Sequence, residues 1–172
     1  MASSQTSHPD HACQLGEVII AWSNVTDRVE RLFIDLADLD DPFVIGVFVE
    51  KIRDSQLDEV VHSLAAQLED GPRDAIRGWI KRVKSARKQR NEYLHGVYLP
   101  QQHSDGQEHL YLLGRRVLDR DNATATPAMT KLLSSNLIRL HQELLDLQSR
   151  HDEILAEYLP FPVRSNAEGR DL

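Results

Sequence analysis

Two long stretches of this chain space their apolar residues alternately by four and three. In 17–39 the series is Val18, Trp22, Val25, Val29, Leu32, Leu36 and Leu39. In 127–159 it is Leu133, Leu137, Leu140, Leu144, Leu147, His151, Ile154 and Tyr158. Side chains set out this way form one stripe on an α-helix, and a stripe that long is buried by packing against other helices. The second series is unbroken, so its helix is expected to lie along others in a bundle. His151 falls in that seam and reads as a core or interface histidine rather than a ligand.

The breaks between stripes are equally legible. Asp40-Asp41-Pro42 ends the first helix and restarts another, with Asp41 as cap and Pro42 at the first helical position. A short apolar helix then runs to about residue 53. The next is capped by Asp54 or Ser55, carries Leu57, Val60, Val61, Leu64 and Leu68, and is broken at Gly71-Pro72. A basic helix follows over 72–95, and Gly96 is placed to end it in a left-handed conformation. Val97-Tyr98-Leu99 and His109-Leu110-Tyr111-Leu112-Leu113 flank a polar tip, HSDGQ, which predicts a β-hairpin. Residues 121–127 read as a loop leading into the last helix. The expected fold class is all-α: an up-and-down helical bundle with a β-hairpin inserted near 97–116. The chain has 172 residues, 41% hydrophobic and 27% charged, enough for one soluble domain with a sizeable core. That domain is expected over 14–160, between a disordered start (1–13) and a flexible tail (161–172).

Several function classes drop out. The single cysteine, Cys13, leaves no disulfide framework and no cysteine-based zinc site, and fits a reducing cytoplasm. The longest apolar run, 42–49, is too short to span a bilayer, so no membrane association is expected. The start has neither a basic segment nor an apolar one, unlike a signal peptide. There is no phosphate-binding glycine loop. His103, Asp105, Glu108 and His109 around the hairpin tip amount at most to an adventitious metal site. No metal and no other cofactor is therefore expected.

Charge is unevenly distributed. The chain carries −7 overall, yet 73–90 holds eight Lys/Arg against one acid, Asp74. That is a local balance of +7, so the remainder carries −14. Such asymmetry marks either an anion-binding face on an acidic body or a solvated helix face paired with acids on neighbouring helices. On a helical wheel starting at Arg73, the apolar residues Ile76, Trp79, Ile80, Val83, Ala86 and Leu94 fall between about 220° and 340°. Arg73, Arg77, Lys81, Lys84 and Lys88 fall between 0° and about 80°, and Asn91 and His95 lie inside that basic sector. Arg90, at about 260°, falls in the middle of the apolar stripe, with Arg87 near its edge.

An arginine in an apolar stripe must be paired or must face a wet cleft. Either Arg90 snorkels or bridges to a core carboxylate while His95 caps the helix, or the two act together. A five-residue offset separates them by about 140° on a regular helix, so joint action needs an unwound last turn or a second copy of the helix in a two-fold dimer.

Arg90-Asn91-Glu92-Tyr93-Leu94-His95 resembles the R-[polar]-x-x-x-H signature of HEPN domains, an all-α family that includes prokaryotic ribonuclease toxins and antiviral nucleases. Gly96 is also typical of it. In architecture the resemblance covers about 15–160; in motif it covers six or seven residues, and the hairpin departs from the minimal bundle. It implies a metal-independent endoribonuclease in toxin–antitoxin or phage-defence systems, cleaving single-stranded or loop RNA to 2′,3′-cyclic phosphate and 5′-hydroxyl ends. His95 would handle protons. Arg90 would stabilise transition-state charge, and Asn91 would orient the site. The resemblance implies a composite site at a homodimer interface, with an antitoxin or nucleotidyltransferase as further partner. RNA would run along Lys81, Lys84, Arg87 and Lys88. Tyr93 or Tyr98 would stack a base or pack in the core and hairpin. The family also contains non-catalytic binding and adaptor modules.

Overall fold

The computed structural model describes residues 8–52, 54–102, 108–113, 129–131 and 134–159. Helix dominates them. The elements are α1 (His8–Leu36), α2 (Pro42–Lys51), α3 (Asp54–Ala65), α4 (Asp70–His95), β1 (Val97–Gln102), β2 (Glu108–Leu113), β3 (Met129–Lys131) and α5 (Ser134–Tyr158). They fall into two compact units, Met1–Asp27 with Arg82–Leu147, and Arg28–Lys81 with Gln148–Leu172.

In the first unit the predicted stripes become core. Val18, Trp22 and Val25 of α1, Val83 and Ala86 of α4, and Leu137, Leu140, Leu144 and Leu147 of α5 are all buried. Leu112 joins them from β2. Arg82 donates to Glu143 at 2.9 Å and to Asp146 at 2.5 Å. For Arg82, which the wheel sets at about 180° and outside the basic sector, this is pairing with acids on a neighbouring helix.

The strands form an antiparallel sheet in the order β1-β2-β3. Val97 faces Leu113, Tyr98 faces Leu112, and Gln102 faces Glu108. The tip, 103–107, lies outside the described residues. β3 corrects an expectation. The last helix was to begin near 127, but Met129, Thr130 and Lys131 pair with Leu113, Leu112 and Tyr111, and α5 starts only at Ser134. The free edge of β2 offers those residues ladder hydrogen bonds in place of helical ones.

In the second unit the core comprises Val29, Leu32 and Phe33 of α1, Leu57, Val61 and Ala65 of α3, Ile76, Trp79 and Ile80 of α4, and His151 and Ile154 of α5. Arg28 holds Asp152 through two parallel hydrogen bonds of 3.2 and 3.1 Å. Asp38 adopts φ 50°, with its N–H on the Asp35 carbonyl and the Leu39 N–H on that of Ile34. This left-handed stop ends α1 at Leu36, short of the expected Leu39. Asp41 caps α2 as expected, accepting from the N–H groups of Phe43 and Val44 at 2.8 and 3.4 Å, with Pro42 opening the helix. α2 buries no residue, and Phe43 is 78% exposed. Gly71 and Pro72 do not separate helices but sit in the first turn of α4, where proline's missing N–H costs nothing. At the other end, α1 begins at His8, so 8–13 of the expected disordered start are helical.

Candidate active site

The last two turns of α4 carry the residues singled out in the sequence. Arg87, Lys88, Asn91, Glu92, His95 and Gly96 line an open cleft of about 520 Å³. Lys88, Glu92 and His95 are exposed, while Arg87, Asn91 and Gly96 are half-buried. Asn91 and His95, one helical turn apart, thus share one surface with two cations.

Arg90 takes a different direction. Its guanidinium carbon lies 5.8 Å from the centroid of the buried Trp22 ring, and that of Arg87 lies 5.4 Å from the same ring. The indole face gives this arginine of the apolar stripe a cation–π partner. Arg90 Nη1 also donates to Asn91 Oδ1 at 2.8 Å. Asn91 therefore connects the guanidinium to the cleft, although Arg90 is not among the cleft-lining residues. α4 stays helical through His95, so the unwound last turn that could have brought Arg90 to His95 is absent.

Gly96 ends α4 for a reason other than the expected one: its φ is not left-handed. A Cβ there would overlap Leu112 Cδ1 and lie 2.8 Å from the Glu92 carbonyl oxygen. Glycine leaves room there for the Leu112 side chain of β2, which any Cβ would have to displace while crowding the Glu92 carbonyl. On the neighbouring strand, the hydroxyl of Tyr98 donates to the carbonyl of Tyr93.

The remaining predicted contacts do not line the cleft. Lys84 is half-buried, and Lys81 is exposed but belongs to the second unit. Tyr93 is half-buried away from the cleft lining. Burial raises its phenol pKa above the ordinary value, with Glu92 adding to the rise and Arg139 opposing it. Arg73 pairs with Asp70 and Asp74, which removes it from any anion track. Glu92 is the cleft residue that motif reading passed over. The wheel places it at about 100°, just beyond the basic sector, so position alone could have found it.

No family model matches the chain, and neither does any curated protein or solved structure. Among the described residues no group of three or more His, Cys, Asp or Glu could hold a metal ion, and no helix is long and apolar enough to cross a membrane. His103 and Asp105 lie outside the described residues.

Proposed function

We propose that this chain is a HEPN-like, metal-independent endoribonuclease acting on single-stranded or loop RNA through a composite site at a homodimer interface. The observation that carries the reading is that Asn91 and His95 stand together in an open, cation-lined cleft while Asn91 holds the guanidinium of Arg90. In the reaction, the ribose 2′-oxygen attacks phosphorus and the P–O5′ bond breaks. One imidazole takes the 2′-hydroxyl proton, and the His95 of a second copy protonates the leaving 5′-oxygen. Arg90 stabilises the charge that builds on the phosphoryl oxygens. The products are a 2′,3′-cyclic phosphate and a 5′-hydroxyl. Lys88 and Arg87 bind flanking phosphates. A second copy is needed because a regular last turn keeps Arg90 and His95 on different faces of one helix. In a toxin or phage-defence setting, an antitoxin or nucleotidyltransferase partner would cover the cleft.

One observation favours a second reading, a non-catalytic module that binds RNA or nucleotide. Arg90 rests against Trp22 instead of lining the cleft, which leaves Lys88, Arg87 and His95 to hold a phosphate without a transition-state cation. Cleavage of a labelled, loop-containing RNA in excess EDTA decides between them. The ribonuclease reading expects cyclic-phosphate ends from wild type and loss of cleavage in both His95→Ala and Arg90→Ala. Salt-sensitive binding with no cleavage by folded, dimeric wild type supports the module instead.

A further inference from the structure

The turn that carries His95 is held from the sheet side by one cross-strand pair. Tyr98 of β1 and Leu112 of β2 face each other directly and so project from the same side of the sheet. The Tyr98 hydroxyl donates to the carbonyl of Tyr93. Because α4 ends at His95, that carbonyl has no partner within its own helix. Leu112 is buried, and its side chain fills the space that a Cβ at Gly96 would occupy. One residue of the pair satisfies the helix end, and the other packs on its last backbone link. Glu92, His95 and Gly96 of the cleft all belong to the segment so gripped.

We propose that Tyr98 and Leu112 form a clamp that sets the position of the His95 turn, making Tyr98 a positioning residue for the cleft. The clamp is read from geometry alone, whereas its catalytic consequence rests on the ribonuclease reading. Burial lifts the Tyr98 phenol above its ordinary pKa, so the hydroxyl keeps the proton it donates throughout the neutral range. Neither residue lines the cleft, so the effect passes through the helix end and not through contact with RNA.

The test is Tyr98→Phe, which removes one oxygen and leaves the ring. Amide exchange over 94–97 should speed up by about tenfold, and the His95 imidazole signals should shift or broaden, while exchange over 137–144 stays at its wild-type rate. Single-turnover RNA cleavage should fall by about tenfold or more, with binding of an uncleavable 2′-deoxy analogue unchanged within about twofold. Leu112→Ala, which keeps the hydroxyl, should loosen the same amides. Exchange and imidazole signals identical to wild type in Tyr98→Phe would overturn the clamp, whatever the enzymatic result. A loosened turn in a protein whose wild type cleaves no RNA would leave the clamp standing and remove the ribonuclease reading.

Discussion

The guanidinium of Arg90 lies over the ring of Trp22, which is itself only 4% exposed. Two arginines share that indole, since Arg87 meets it as well. Trp22 is thus both a core residue of α1 and the surface on which the end of α4 rests its charges. Trp22→Leu should cost about 2–4 kcal/mol by urea denaturation, combining lost core volume with lost cation–π attraction. A double-mutant cycle of Trp22→Leu with Arg90→Ala should return a coupling of about 0.5–1 kcal/mol. Zero coupling would mean that the ring and the guanidinium are neighbours without attraction.

His95 is exposed, so truncating it should leave stability almost untouched. Thermal unfolding of His95→Ala should agree with wild type to within about 0.5 kcal/mol. On the ribonuclease reading the same variant loses about 10²- to 10⁴-fold in cleavage rate. A large fall in melting temperature would show a structural histidine instead.

Gly96→Ala forces a methyl into the space that Leu112 Cδ1 already fills. Overpacking of this kind should cost about 1–3 kcal/mol. In a Leu112→Ala background, itself destabilised by the loss of a buried side chain, the added cost of Gly96→Ala should shrink but not vanish, because the Glu92 carbonyl crowds the same methyl and cannot be trimmed away. Chemical denaturation of the two single variants and the double variant reads this directly.

His151 predicts how stability responds to acid. It is 2% exposed, its ring centroid lies 5.3 Å from that of Trp79, and its Nδ1 lies 3.0 Å from Asp152 Oδ1. Burial drives the imidazole pKa below its ordinary value of 6.5, outweighing the hydrogen bond to Asp152 that raises it. As pH falls, the unfolded chain therefore takes up the proton first, so the histidine's contribution is full above about pH 6.5 and drains away below it. Asp35 opposes this: burial raises its carboxyl pKa above 3.8, so its contribution is present in acid and lost as pH rises through the folded value. For Asp152, burial raises the pKa, but the bonds from Arg28 and His151 hold it below 3.8, so its contribution is lost only in stronger acid. Melting temperature should drop from about pH 7.5 to about pH 5.5 in wild type, and His151→Phe should flatten that slope. Parallel slopes in the two proteins would acquit His151.

Much of the helical frame was legible because burial imposes a period. Every apolar residue from Val18 to Leu32 in the α1 series is buried, as are Leu137 through Ile154 of the α5 series, His151 included. The Asp41-Pro42 restart was legible because a carboxylate cap and a proline act locally. What was missed depends on partners distant in sequence. Thr130 joins a sheet only because β2 presents an edge to it. Gly96 was read as a left-handed stop, a purely local property, when Leu112, sixteen positions on, also takes up the space a side chain would need. At the cleft, the wheel correctly set Asn91 and His95 on one face and Arg90 on another. It could not show that Trp22, on a different helix, was what Arg90 faced.

α2 has a consequence for how the protein opens. Its ten residues bury no side chain, and its footholds are the Asp41 cap and the ring of Phe48, 5.9 Å from that of Phe33. Little apolar area must be exposed to melt it, so its opening free energy lies near the bottom of the range for the described helices. Asp41→Ala should remove about 1 kcal/mol from that small reserve, and amide exchange should quicken across 43–51 while α5 keeps its protection. Among the described helices, α2 is the one a protease that needs extended chain would open before the core of either unit yields.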